Sequence, residues 1–305
     1  MLLKIEINNL TKSFGEKRVL KGISMSTESG KALGLLGRNG AGKTTAMRII
    51  MGVFPPNSGE ILIDGRPIER ETLKLGYLPE ERGLYPKQII VEQLIYFAML
   101  KGLTKSKAKQ AALKWLSRLE MDEYTNRRLD TLSKGNQQKI QLAAALISDP
   151  EMVILDEPFS GLDPVNAMLL KDVVNELVCA QKLVLFSSHQ MNYIEEFCDD
   201  IAILNGGNIV LDGSIKKIKR SYERNKLIVL SADADRIEQY ILREQKNIAV
   251  KTQVAGDVVT IEMHAAGQKN ALLSALSSQE FDIDEIRVYE PSLNEIFVEY
   301  TGDRT

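Results

Sequence analysis

A largely parallel α/β fold followed by a small α+β domain is predicted by three observations. The glycine-rich run Gly37-Arg38-Asn39-Gly40-Ala41-Gly42-Lys43-Thr44 directly follows a short apolar segment ending at Leu36. Short strand-like runs then alternate with helical patterns as far as about 212, the rhythm of a parallel sheet with crossover helices. A second series with a β-α-β-β-α-β order fills 226–289, as in a ferredoxin-like unit. Composition agrees: of 305 residues, 44% are hydrophobic and 26% charged, which is globular rather than disordered. The net charge of -2 offers no basic footprint for nucleic acid.

The elements follow in chain order. Residues 2–11 and 17–27 alternate like strands joined at Ser13-Phe14-Gly15-Glu16, an antiparallel start; the alternation reads as a strand and not a leader peptide. Residues 31–36 are the strand feeding the glycine-rich loop, and a helix starts at Thr44. Residues 59–65 and 73–78 are further strands. From 88 to about 128 the pattern is helical; Ala108, Ala111, Ala112, Trp115 and Leu116 form the apolar stripe of a helix opening near Thr104. Residues 133–146 form another helix. A buried strand at 151–156, a helix at 165–179, a strand at 182–187, a helix at 190–197 and strands at 200–204 and 208–212 follow. Residues 213–225 break the pattern as a basic linker. Beyond it come strand 226–231, helix 233–243, strands 248–254 and 257–263 with a tight turn at Gly256-Asp257, helix 267–278, strand 283–289 and a last helix after Pro291. The expected division is 1–215 with a helical subdomain at about 88–150, a linker at 216–225, and 226–305.

No apolar run reaches the about 20 residues that span a bilayer, Ile90 to Leu100 being interrupted by Glu92 and Gln93. Any membrane role therefore comes through a partner. Cys179 and Cys198 lack metal-ligand spacing and read as reduced thiols, one of them buried in a helix.

The chemistry starts at the strand–loop–helix. Glycines let the backbone wrap phosphates, and free N–H groups with the helix dipole attract them. Lys43 is placed to reach the β- and γ-phosphates and the Thr44 hydroxyl to reach Mg²⁺. Val153-Ile154-Leu155-Asp156-Glu157-Pro158 puts two acids at the end of a buried strand. Asp156 suits the shell of Mg²⁺ and Glu157 the water that attacks phosphorus. Ser133 reads as a helix N-cap, and Asp163, before Pro164, as a capped turn.

On these residues the chain resembles an ATP-binding cassette (ABC) ATPase, the nucleotide-binding subunit of a transporter, over residues 2 to about 212. Leu132-Ser133-Lys134-Gly135-Asn136-Gln137-Gln138 resembles the family's L-S-G-G-Q signature, Ser160-Gly161-Leu162-Asp163 its D-loop, and His189 its switch histidine. The resemblance implies a P-loop NTPase fold with an antiparallel β-subdomain and a helical subdomain. It implies ATP and Mg²⁺ as ligands. Phe14 would stack on adenine, and Gly37, Asn39, Gly40, Ala41, Gly42, Lys43, Thr44 and Thr45 would hold the phosphates. Thr44, Asp156 and Glu80 would serve the metal, and Glu157 and His189 the hydrolysis. Ser133, Gly135 and Asp163 would complete the site of a second cassette, in a homodimer or heterodimer. Integral membrane permease subunits are the implied partners, docked near Leu84, Tyr85 and Ile89, and the cytoplasmic face of the cell membrane the implied location.

Two stretches depart from the family pattern. Lys134 and Asn136 alter the signature, and Gly76-Tyr77-Leu78-Pro79-Glu80 has Glu80 where the family carries glutamine. Such variants, with the extra C-terminal domain, are similar to exporter ATPases, including the sodium-extrusion type. Soluble cassette ATPases acting on ribosomes or DNA carry paired cassettes or long coiled coils, which this chain lacks. A non-hydrolysing, ATP-gated regulator is disfavoured by Glu157 and His189.

Overall fold

A computed structural model of the chain describes residues 2–70, 73–81 and 83–302; Met1 and 303–305, at the ends of the expected domains, lie outside the described residues. Contacts divide the molecule into two units, one running to Ile215 and taking in the chain from Phe297, the other Lys216–Ile296.

In the first unit, β1 (Lys4–Phe14) and β2 (Lys17–Glu28) form a hairpin, and β3 (Ala32–Leu36) leads through the glycine-rich loop into α1 (Lys43–Ile50). The strands β4 (Ser58–Ile63), β5 (Arg66–Pro67) and β6 (Leu75–Leu78) precede three helices, α2 (Ile90–Leu100), α3 (Lys105–Arg118) and α4 (Lys134–Leu146). Then come β7 (Met152–Asp156), α5 (Pro164–Cys179), β8 (Leu183–Ser188), α6 (Met191–Phe197), β9 (Asp200–Asn205) and β10 (Asn208–Ser214).

Two sheets result. One is antiparallel, in the order β2-β1-β4-β5; the other runs β10-β9-β3-β8-β7-β6, parallel except for the β10 edge. The antiparallel start is thus a sheet of its own. Strands β3, β7 and β8 are buried along their whole length, so they lack alternation, as expected for a sheet covered on both faces. Ile5, Leu20, Leu35, Met47, Ile50 and Ile154 belong to one core that cements the antiparallel sheet, α1 and the parallel sheet. Register is what matters for the site: Leu36 pairs with Ser188 and Asp156 with Ser187. The carboxyl ends of three adjacent strands therefore open at one edge, where open α/β sheets bind ligands.

The helical region splits at Lys101–Thr104. Thr104 caps α3 by accepting from the Lys107 amide, and Ala108, Ala112 and Leu116 are buried, while Ala111 and Trp115 are only half-buried. Cys198 is buried just beyond α6, not within it, and burial pushes its thiol far up; Cys179 ends α5 and is exposed.

The second unit starts with α7 (Ile215–Ser221), which straddles the boundary. It continues as β11 (Lys226–Ser231), α8 (Ala234–Glu244), β12 (Ala249–Ala255), β13 (Val258–Met263), α9 (Lys269–Ser277) and β14 (Ile283–Val288), and α10 (Leu293–Thr301) crosses back. Its sheet is antiparallel in the order β12-β13-β11-β14, the ferredoxin-like arrangement. Alternation does the work here: Leu227, Val229, Val259 and Ile261 face Ile237, Ile241, Leu272 and Leu276 in one core. Gly256, at φ 60°, turns the β12–β13 hairpin.

Candidate functional site

The glycine-rich loop is shaped by two positions that admit no side chain. Gly42, the N-cap of α1, sits at φ 114°, and a Cβ there would lie 2.8 Å from Leu20 Cδ2. A Cβ on Gly37 would meet the Leu204 carbonyl oxygen at 2.6 Å. The loop thus turns tightly against β2 and β9 and sends Lys43 back across itself. The Lys43 ammonium, nearly buried, donates to the Gly37 carbonyl at 2.7 Å.

Opposite the loop, the ends of β7 and β8 hold the two acids. Asp156 is 1% exposed. Ser187 donates to its Oδ1, and the Tyr77 hydroxyl lies 3.4 Å from Oδ2. Burial, and then the negative charge of Asp156, push the Tyr77 phenol up to about 12. Glu157 is also buried and takes the left-handed conformation at φ 49°. Its amide donates to the Ser187 carbonyl and hydroxyl. Its Oε2 accepts from Ser188 Oγ at 3.3 Å and from the His189 amide at 3.4 Å. Its Oε1 lies 3.0 Å from His189 Nδ1 and 3.5 Å from Lys43 Nζ. One carboxylate oxygen is therefore the meeting point of a cation and an imidazole.

These groups border a cleft of about 420 Å³ lined by Phe14, Asn39, Gly40, Gly42, Lys43, Thr44, Thr45, Glu80 and Glu157 among others. Phe14 is 49% exposed and meets Phe54 edge to face, so it is a surface platform rather than core. Gly37, Ala41 and Asp156 are not among the lining residues, and His189 meets the cleft through its contact with Glu157. Ser133, Gly135 and Asp163 do not line it. Ser133 caps α4 and accepts from the Asn136 amide. Asp163 caps α5 through the Asn166 amide at 2.9 Å, a bond that holds its carboxyl below the usual range. Asn166 also stands against Gly135, so the signature and D-loop segments adjoin on one surface.

Sequence reasoning missed Lys17, Val19 and Arg38, which also line the cleft. Lys17, three residues past Phe14 and across the hairpin turn, had a signal in its register; Val19 had none. Ser187 as the donor to Asp156 is legible only once β7 and β8 are paired.

Fold and cleft together define a P-loop nucleoside triphosphatase. Residues 20–160 match the ABC transporter family, and 213–301 match the ATP-binding protein DrrA1-3-like C-terminal domain. The uncharacterized ABC transporter ATP-binding protein YhaQ of Bacillus subtilis is 41% identical over 303 residues, 98% of either chain. The linearmycin resistance ATP-binding protein LnrL of the same species is 30% identical over 307 residues, again 98% of either. A solved ATP-binding subunit of an ABC transporter superposes with a TM-score of 0.65 at 29% identity, over 71% of this chain and 92% of that one. The chain belongs to the ATP-binding proteins of ABC transporters. It is an ATP-binding and ATP-hydrolysing transporter subunit with a DrrA-like C-terminal domain.

Proposed function

We propose that the chain powers export through a separate membrane permease, hydrolysing MgATP in the cleft between the glycine-rich loop and Glu157. The observation that carries the site assignment is the convergence of Lys43 and His189 on Glu157 Oε1. In this reading Lys43 neutralises phosphate charge. Glu157 accepts the proton of the attacking water. His189 holds the γ-phosphate and orients that water. Phe14 offers its exposed ring to adenine.

The donor set fits Mg²⁺. Thr44 supplies a hydroxyl at the cleft, Glu80 lines it, and Asp156 is a carboxylate held by Ser187. Among the described residues no group of three or more His, Cys, Asp or Glu forms a protein cage. That suits a cation that takes one or two carboxylates and fills its shell with phosphate oxygens and water. When bound, it would neutralise charge building on the phosphates.

Ser133, Gly135 and Asp163 lie outside the cleft of their own chain, which supports a dimer, of identical or related cassettes, in which each chain completes its partner's site. Among the described residues no helix is long and apolar enough to cross a membrane. A membrane permease is the proposed partner and the cytoplasmic membrane face the proposed location, a reading supported by the match to ABC transporter ATP-binding proteins. The proposed docking groove is lined by Tyr77, Pro79, Leu84, Phe97 and Lys101, with Tyr85 beside it on the Phe97 ring. Export is supported by the relative named for linearmycin resistance and by the C-terminal domain. The sodium-extrusion type is the narrower proposal, resting on Lys134, Asn136 and that domain.

The test is affinity capture from detergent-solubilised native membranes with Glu157→Gln as bait and MgATP present. Stoichiometric recovery of a multi-span membrane protein is expected. Recovery of ribosomes or soluble proteins alone would contradict the transporter reading.

A further inference from the structure

Four rings gather beside the site, and they come from the segments that carry Glu157 and His189. Phe159 lies two residues past Glu157 and is buried. Phe186 is on β8, three residues before His189. Tyr193 and Phe197 are on α6, which starts two residues after His189. Phe159 stacks on Tyr193 at 4.4 Å, with planes 17° apart, and on Phe197 at 4.8 Å and 18°. Phe186 lies beyond at 6.1 Å and 8°. Lys171 of α5 sits 5.4 Å over the Phe197 ring and pairs with Glu196.

The backbone between the acid and this stack has little freedom of its own to keep Glu157 in place. A non-glycine residue at φ 49° is strained by about 1–2 kcal/mol and persists only where its surroundings over-determine it. Hydrogen bonds from β8 fix the start of the turn, and Phe159 fixes its end. Offset rings give a rigid contact worth about 0.5–1.5 kcal/mol per pair beyond burial. Packed side chains of this kind move together rather than deform.

We propose that Phe159 and Tyr193 are positioning residues: by stacking, they bind the Glu157 loop and the α6 segment behind His189 into one body, so that base and switch histidine stay in contact. Their function in hydrolysis rests on the roles proposed above for Glu157 and His189, but the contact itself is testable without turnover.

The chain has two histidines, His189 and His264, so its imidazole NMR lines assign by one substitution, His264→Asn. In the parent, Glu157→Gln should move the His189 line and leave His264 in place. In Tyr193→Ala the same substitution should move it much less. Tyr193→Phe, which restores the ring, should recover the full displacement. Turnover of Tyr193→Ala should fall about tenfold or more at unchanged KM for ATP, since small misplacement of reacting groups is costly, with Tyr193→Phe near the parent. Phe159→Leu should repeat the NMR result. An equal Glu157→Gln displacement in all three Tyr193 backgrounds would overturn the proposal, as would no displacement in the parent. Failure of the parent itself to hydrolyse ATP would instead strike at the site assignment.

Discussion

Lys43 and Glu157 are both nearly buried, and they pair at 3.5 Å at the cleft. A buried pair of this kind is costly to leave half-made; in the proposed mechanism a triphosphate that takes over Lys43 also frees Glu157 toward its water. Lys43→Ala should weaken MgATP binding about tenfold to a hundredfold by calorimetry, the loss of charge-assisted hydrogen bonds; unchanged affinity would remove Lys43 from the phosphate site. At this scale the sequence was most informative. Lys43 and Thr44 stand where the glycine-rich loop opens a helix, and Asp156 and Glu157 where a buried strand ends, so each announces itself in a local pattern. Ser187 and the Phe159 stack did not. Their roles depend on partners about 30 residues away, brought together only by the parallel register of β7 with β8.

At the scale of elements, the caps and turns were legible because their chemistry is local. Thr104, Ser133 and Asp163 each open a helix as their side chains require. Strand ends were less so: β6 begins at Leu75 rather than residue 73, since only from there does it pair with β7. The loop before α1 has no room for change. Gly42→Ala should destabilise the protein by about 1–3 kcal/mol, through positive φ and the Leu20 contact, read as a lowered thermal midpoint; an unchanged midpoint would contradict that strain. The Asp163 cap has a pH signature. Its folded carboxyl is held low by the Asn166 amide, so its contribution is fully present above the unfolded value of about 3.9 and is lost as pH falls through the folded one. Asp163→Asn keeps a capping oxygen without a charge. It should flatten the acid-unfolding curve below about pH 4 and leave neutral-pH stability close to the parent.

At the scale of the molecule, two units with separate cores share one chain. The β-α-β-β-α-β order of the second was legible because its strands alternate cleanly, and its sheet order follows from right-handed crossovers. In the proposed dimer each chain completes the cleft of its partner. With turnover blocked at Glu157, chains that close on ATP should accumulate as dimers. Sedimentation of Glu157→Gln should therefore show a species of twice the parent mass with MgATP and lose it when EDTA is added. A monomer under both conditions would speak against shared sites between identical chains.

In the proposed mechanism Glu157 activates water on a nucleotide held by the Lys43 loop. Steady-state phosphate release by the purified chain, parent against Glu157→Gln at saturating MgATP, tests it most directly. Loss of a general base predicts a fall of about a hundredfold or more, with MgATP binding retained by calorimetry. Equal turnover in the two proteins would contradict that role of Glu157.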